Sequence, residues 1–281
     1  MYKMLLFSLF SIASANFAFA EKNTAEVTLN KDDVSVAVKV AGKLFTKYVY
    51  NDEKRAKPIL YPVIGPNDIP MTRRYPIEGA GKGEAKDHPH HASLWYTHGE
   101  VNGISFWHIG KDTGEIIHEK FLKLKGNVIA TRNKWVDSKG KVVCRDEREL
   151  AFHGEGDDRA IDVTIKILAD SGDVTFGDTK EGSMGIRSNP VLRLKGSVAK
   201  GKALNSAGDT DKALWGKRAA WVSYWAPQEK KVVGFSIFDH PTNPRHPTWW
   251  HARDYGLVAA NPFGIHNFER KPKGTGDMKE I

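Results

Sequence analysis

Cysteine is almost missing. Cys144 is the only one among 281 residues, so no disulfide can form within the chain and a small stapled scaffold is excluded. It lies in the alternating segment KVVCRDEREL, where a buried, inert thiol is expected; a nucleophilic thiol wants a positive, partly exposed setting. Long apolar runs are scarce as well. Past residue 20 no stretch approaches the roughly 20 apolar residues of a membrane span. No window of twelve or more residues shows a helical period, so little helix is expected. No repeat, low-complexity linker, GxSxG elbow, P-loop, HExxH or dinucleotide-binding glycine pattern is present, which removes several familiar enzyme classes. Lys and Arg total 42 against 34 Asp and Glu, a formal charge of +8 without a long basic run. Nucleic acid is therefore not an expected partner. A solvated surface is, with an anionic polysaccharide as the alternative polyanion.

The first twenty residues stand apart. Lys3 precedes the apolar Met4 to Phe10, and Ala18-Phe19-Ala20 offers small residues at a cleavage spacing before Glu21. This predicts a cleaved signal peptide over residues 1–20 and a periplasmic or secreted protein, with a retained anchor as the alternative. Residues 21–281 then form a single domain, with no membrane span in the mature chain.

That domain reads as β almost throughout. Val34, Val36, Val38 and Val40 alternate with Ser35, Ala37 and Lys39, and Lys141 to Leu150 and Ile161 to Leu168 alternate similarly. Trp221 to Trp225, Val232 to Phe238 and Trp249 to Tyr255 add further strands, the last placing His251, Arg253 and Tyr255 on one face. Asp137-Ser138-Lys139-Gly140, Ser171-Gly172-Asp173 and Asn102-Gly103 mark turns. An all-β fold follows, a large antiparallel β-sandwich.

Histidine is where this chain concentrates its chemistry. Ten of eleven histidines lie in two segments, His88 to His118 and His240 to His266. Each contains Asp-His-Pro, and each carries tryptophans, Trp95 with Trp107 and Trp249 with Trp250. Imidazole transfers protons near neutral pH and is the commonest metal ligand. In Asp87-His88-Pro89-His90-His91 the proline favours an extended backbone that sends His88 and His90 to one side. The spacing suits a metal pair or an acid/base pair; otherwise the rings merely cap a loop. His98, His108, His118 and His153 fit structural or surface positions better. Between the segments, FGDTKEGSMGIR supplies Glu181, a carboxylate for acid/base work, and Arg187, a fork of donors for substrate oxygens. The bland reading is a charged turn hinged at Gly182 and Gly185. His240-Pro241, His246-Pro247 and Asn261-Pro262 make a rigid loop of the kind that carries sites.

The segments DHPHHASLWYTHGEVNGISFW, DTKEG with GIR, WGKRAAWVSY and FDHPTNPRHPTWWHARDYGLVAANPFG resemble the bacterial PmoA-like family of unknown function, over about Val34 to Phe268. Its label, "methane oxygenase PmoA", belongs to a multi-span membrane subunit, which a chain without later spans cannot be. The family's aromatic and histidine-rich sites resemble those of exported sugar-processing β proteins, and imply a galactose-mutarotase-like supersandwich. The expected function is that of a carbohydrate-active enzyme, cleaving, eliminating or epimerising at a sugar carbon. Its proton-transfer cluster would be His88, His90, His91 and His251, with Glu181 as carboxylate partner. Arg187, Arg253 and His240 would bind substrate, Trp95 or Trp249 would stack on a sugar ring, and Asp254 would orient a neighbour. No cofactor is required by this reading. A divalent metal on His88, His90, His91 and His251 is the alternative, as in a metal-dependent oxidase or oxygenase; a non-catalytic glycan-binding protein is another.

Overall fold

The computed structural model describes residues 25–228 and 231–279; the signal peptide expected at 1–20 lies outside them. Among those residues the fold is nearly all β, a sandwich-like arrangement of antiparallel sheets. No described helix is long and apolar enough to cross a membrane.

Five strands open the chain: β1 (Val27–Lys31), β2 (Ser35–Val40), β3 (Lys43–Val49), β4 (Ile59–Val63) and β5 (Leu94–His98). A meander follows, β6 (Glu115–Lys125), β7 (Val128–Val136), β8 (Val142–Glu155) and β9 (Asp158–Leu168). The chain returns through β10 (Gly182–Arg187), builds a small sheet from β11 (Lys202–Asn205), β12 (Trp221–Gln228) and β13 (Lys231–Phe238), and ends with β14 (Trp249–Ala252), β15 (Leu257–Asn261) and the short helix α1 (Ile265–Glu269). Strands β1 to β5, then β10, β15 and β14, lie side by side in one eight-stranded sheet. The meander and the small sheet remain separate sheets of four and three strands.

Two-residue alternation decides which side chains enter the core. In β2, Val36, Val38 and Val40 are fully buried. They share one apolar cluster with Ile129, Leu150 and Phe152 of the meander, Val222 and Tyr224 of β12, and Trp250 and Val258 from the far end of the large sheet. Both smaller sheets therefore contribute to a common core against the large one. A polar network is sealed in the meander. Asp146 accepts from both Nε and Nη2 of Arg148, at 2.9 and 2.7 Å, from Asn133 Nδ2 at 2.7 Å and from Trp135 Nε1 at 2.7 Å. Cys144 is buried beside it, and burial pushes its thiol up to about 12, the inert state expected of it.

The alternate residues of the large sheet's central strands face the other way. Ile59, Tyr61, Trp95, Leu257 and Ala259 form a second cluster with Ala92 and Trp107 from loops. Two sequence expectations change on this face. The strand expected over Trp249 to Tyr255 stops at Ala252, because residues 253–256 turn, with Gly256 at φ 89° and its N–H donating to the Arg253 carbonyl. Gly182 and Gly185, hinges of a charged turn in the bland reading, lie instead in a central strand. A Cβ built at Gly185 would stand 2.8 Å from the Trp95 ring, so glycine is what lets the indole lie across β10. The Asn102-Gly103 turn forms, with both residues at positive φ, but Val101 and Ile104 make only an isolated bridge rather than long hairpin arms.

Candidate functional site

Strand register ties the two histidine segments together. Trp95 pairs with Gly185, Gly185 with Ala259, and Ala259 with His251. These four occupy one row on one face, three strand spacings or about 14 Å from end to end. Arg187 stands one step along the same face, opposite Leu257.

Over the Trp95 end, four rings form a column. Tyr255 stacks on His88 at 5.4 Å, His88 on His91 at 4.8 Å and 7°, and His91 on Trp95 at 5.5 Å. His90 stands edge-on to His91 at 4.4 Å and meets His108 at 4.8 Å. His88 takes a positive φ of 46°, and its ring stacks over His91 while standing edge-on to His90 at 5.7 Å. The extended geometry expected for His88-Pro89-His90 is thus replaced by a tight turn, closed by the His91 N–H donating to the His88 carbonyl.

Beneath the column lie two buried arginines and one carboxylate. Arg187 donates to His91 Nδ1 at 2.9 Å and to both oxygens of Asp87 at 3.0 and 3.1 Å. Arg73 donates to Asp87 Oδ1 at 2.6 Å and to the carbonyls of Asp87 and His88 at 2.8 and 2.9 Å. The Arg187 guanidinium also lies 4.6 Å over the Tyr255 ring, a cation–π contact.

These contacts set the protonation states. Burial pushes the Asp87 carboxyl up, but Arg73, Arg187 and His88 outweigh it and hold it well below the usual range. Burial lowers Arg187 to about 10, with Arg73 adding and Asp87 opposing; it stays charged at neutral pH. Burial, then His90 and Arg187, drive His91 far below the ordinary histidine value. Burial, with His108 and Lys57, brings His90 down to about 3. Burial brings His251 to about 4 against the opposing charge of Glu181. Glu181 also opposes the lowering of His108 and adds to the raising of Tyr255, both shifts being led by burial. Perturbed groups of this kind gather at functional sites.

The structure thus brings His88, His90, His91, Trp95 and Arg187 together. His251 lies on the same sheet face, with Glu181 close enough to influence His251, His108 and Tyr255. Arg253 lies 5.5 Å from the Tyr255 ring. Other expected residues stand elsewhere. The His240 ring bonds its loop neighbour Thr242. Its Asp-His-Pro does a different job from the first. Asp239 accepts from Asn243 and the Thr248 N–H and pairs with His246, so it shapes a loop. Asp254 pairs with Lys212 at 3.8 Å. Trp249 is buried, capped by Arg218 at 4.4 Å and bonded to Glu269. Trp95 is buried between His91 and Gly185. Neither indole offers the exposed face expected for stacking on a sugar.

Asp87, Arg73, His108, Tyr255 and Lys57 are the participants that sequence reasoning did not assign. Asp87 sits inside the quoted motif, so its signal was available. Arg73 carried none. Lys57 is a buried amine bonded to the carbonyls of Phe106 and Trp107, and burial lowers it to about 7. It lines a shallow depression with Pro89, His90, Ala92 and Ile109.

A metal does not fit these histidines as they stand. Imidazole lone pairs lie in the ring plane, and the His88 and His91 planes are parallel, so the two cannot converge on one ion. His91 Nδ1 already accepts from Arg187. Among the described residues no group of three or more His, Cys, Asp or Glu is placed to hold a metal.

The profile of a family of unknown function, DUF6807, matches residues 35–278. No curated protein matches the chain, and no solved structure does.

Proposed function

The chain belongs to DUF6807, and from that premise we propose that it is an exported carbohydrate-active enzyme, one that cleaves, eliminates or epimerises at a sugar carbon. The observation that carries this reading is His90. It is a half-buried ring set between the exposed rings of His88 at 5.7 Å and His108 at 4.8 Å. An imidazole within reach of solvent is the side chain best suited to moving a proton, and Glu181 offers a carboxylate on the same sheet face. Arg187, Arg73 and Arg253 are fixed donors suited to sugar oxygens. His91 is a positioning residue here. Its Nδ1 is occupied by Arg187 and its Nε2 is buried, so it holds the column upright.

Export and the likeness to PmoA-like proteins belong to the same reading. The apolar leader with its Ala18-Phe19-Ala20 site supports export, and with it a substrate met in the envelope or outside the cell. An oxygenase function draws no support from a ring pair stacked in parallel.

The test is a panel of oligosaccharides, sugar acids and oxidised sugars offered to the wild type, His90→Ala and His251→Ala. Wild-type protein is expected to convert a member of the panel, and His90→Ala to lose about 10²–10⁴-fold in turnover with its near-UV circular dichroism intact. Binding without conversion by the wild type would leave a glycan-binding protein instead. Undiminished turnover in His90→Ala would remove the role assigned to that ring.

A further inference from the structure

The site holds more hydrogen-bond donors than it can use. Among the described residues five buried N–H groups find no acceptor: Nε of Arg73, Nε of Arg187, Nε2 of His91, and Nε1 of Trp95 and of Trp107. Their side chains are all 1–2% exposed. Arginine and indole nitrogens only donate. His91 Nε2 is a donor too, because its Nδ1 accepts from a guanidinium and the neutral ring then carries its proton on Nε2.

These groups form one contiguous set. His91 touches Trp95 at 5.5 Å, Trp107 at 5.4 Å and Arg187 at 2.9 Å, and Arg187 shares Asp87 with Arg73. Other unpartnered buried atoms are scattered through the fold and include the acceptor Asn133 Oδ1. Buried donors without partners carry a desolvation penalty, and native proteins keep few of them.

Charge points the same way. Arg73 and Arg187 share the carboxylate of Asp87, and Arg193 and Glu84 act on the same groups at longer range, so three guanidiniums face two carboxylates, a surplus of one positive charge. Burial and the mutual repulsion of Arg73 and Arg187 lower Arg187. A trapped water could satisfy a donor but could not neutralise the surplus. The guanidiniums are reached past Asp87, which is 37% exposed and so the open member of the trio.

We infer that this site takes an anionic ligand, a sugar acid whose carboxylate docks beside Asp87 on Arg73 and Arg187. The sugar part rests on the function proposed above; the carboxylate part rests on the donors and the charge.

Calorimetry on the full chain tests it, with glucuronate, glucose, acetate and inorganic phosphate as probes at low salt. Glucuronate should bind at least about tenfold more tightly than glucose, the worth of one charge-assisted hydrogen bond. Its affinity should fall as sodium chloride rises. Asp87→Asn keeps the shape and removes the competing carboxylate, so it should bind glucuronate more tightly than wild type while retaining its circular dichroism. That gain is a readout that a structural role for Asp87 would not produce. Equal binding of glucose and glucuronate would overturn the anion inference and leave the carbohydrate reading standing. Acetate or phosphate binding as tightly as glucuronate would keep an anion site but overturn the sugar acid, and the carbohydrate reading with it. Failure of all four probes to bind, or weaker glucuronate binding by Asp87→Asn, would overturn the inference.

Discussion

Arg187 donates from Nη1 to Nδ1 of His91 at 2.9 Å, across 96 residues of sequence. A guanidinium has nothing but protons to offer, so this single contact settles the tautomer of the histidine. It also docks the loop carrying the first histidine segment onto a central strand. The same guanidinium holds Asp87 through both oxygens, so loop, ring and carboxylate are set by one side chain buried on β10.

Acid should destabilise the fold. His98 and His251 are buried, and burial lowers each to about 4 from an ordinary 6.5. His98 donates from Nε2 to the Gly177 carbonyl at 2.7 Å, which opposes the shift without cancelling it. Below about 6.5 the unfolded chain takes up protons that these folded rings refuse. Stability is therefore full above that pH and is lost as pH falls toward 4, by up to about 1.4 kcal/mol per unit for each ring. Urea midpoints should hold level from about pH 7.5 to 6.5 and fall from there to about 4.5, and His98→Gln should flatten the slope. Midpoints that stay level across this range would contradict the neutral burial of both rings.

Gly185→Ala should loosen the floor of the site. The new Cβ would press on the Trp95 ring at 2.8 Å, and the indole is held from its other side by His91 at 5.5 Å. Overpacking of this kind costs about 1–3 kcal/mol. The expected signs are a lower melting temperature and an altered near-UV tryptophan signal. Unchanged spectra and stability would show that Trp95 has room to move.

Asp146→Ala should be among the most damaging single changes. It would leave the guanidinium of Arg148 buried at 4% exposure without its ion partner, and would also strip the acceptor from Asn133 and Trp135. Removing one member of a buried ion pair costs about 3–5 kcal/mol. Chemical denaturation would measure it, and a loss under about 1 kcal/mol would mean that water reaches the network. Because the network lies in the meander, ligand binding by whatever protein remains folded should be unaffected.

The strands were legible because alternation is a local property. The valines of β2 and the long alternating runs of β8 and β9 appear in the structure within a few residues of their expected bounds. Trp249 to Tyr255 was read as too long a strand because β-favouring residues continue past the true end, while the left-handed Gly256 that breaks it lies just beyond. Gly182 to Arg187 carries two glycines and charged neighbours, which leave a charged turn open as the bland reading. Its strand state follows from pairing with β5 and β15 on both sides, which no local pattern announces.

The site was legible only in part. His88, His90, His91 and Arg187 were marked by their density or by their unusual surroundings. His240 and Trp249 were marked by the same density and stand apart. Arg73 and Lys57 gave no sign, since a lone basic residue in a loop looks the same whether solvated or buried.

Composition and two-residue periodicity, both carried by the chain in any conformation, therefore determined the β class, the lack of disulfides and the presence of a histidine-rich chemistry. The tertiary structure alone decided which histidines count. It did so by strand register, which sets His251 in the row of Trp95, and by burial, which seals the donors of Arg73 and Arg187 beneath a stack of rings.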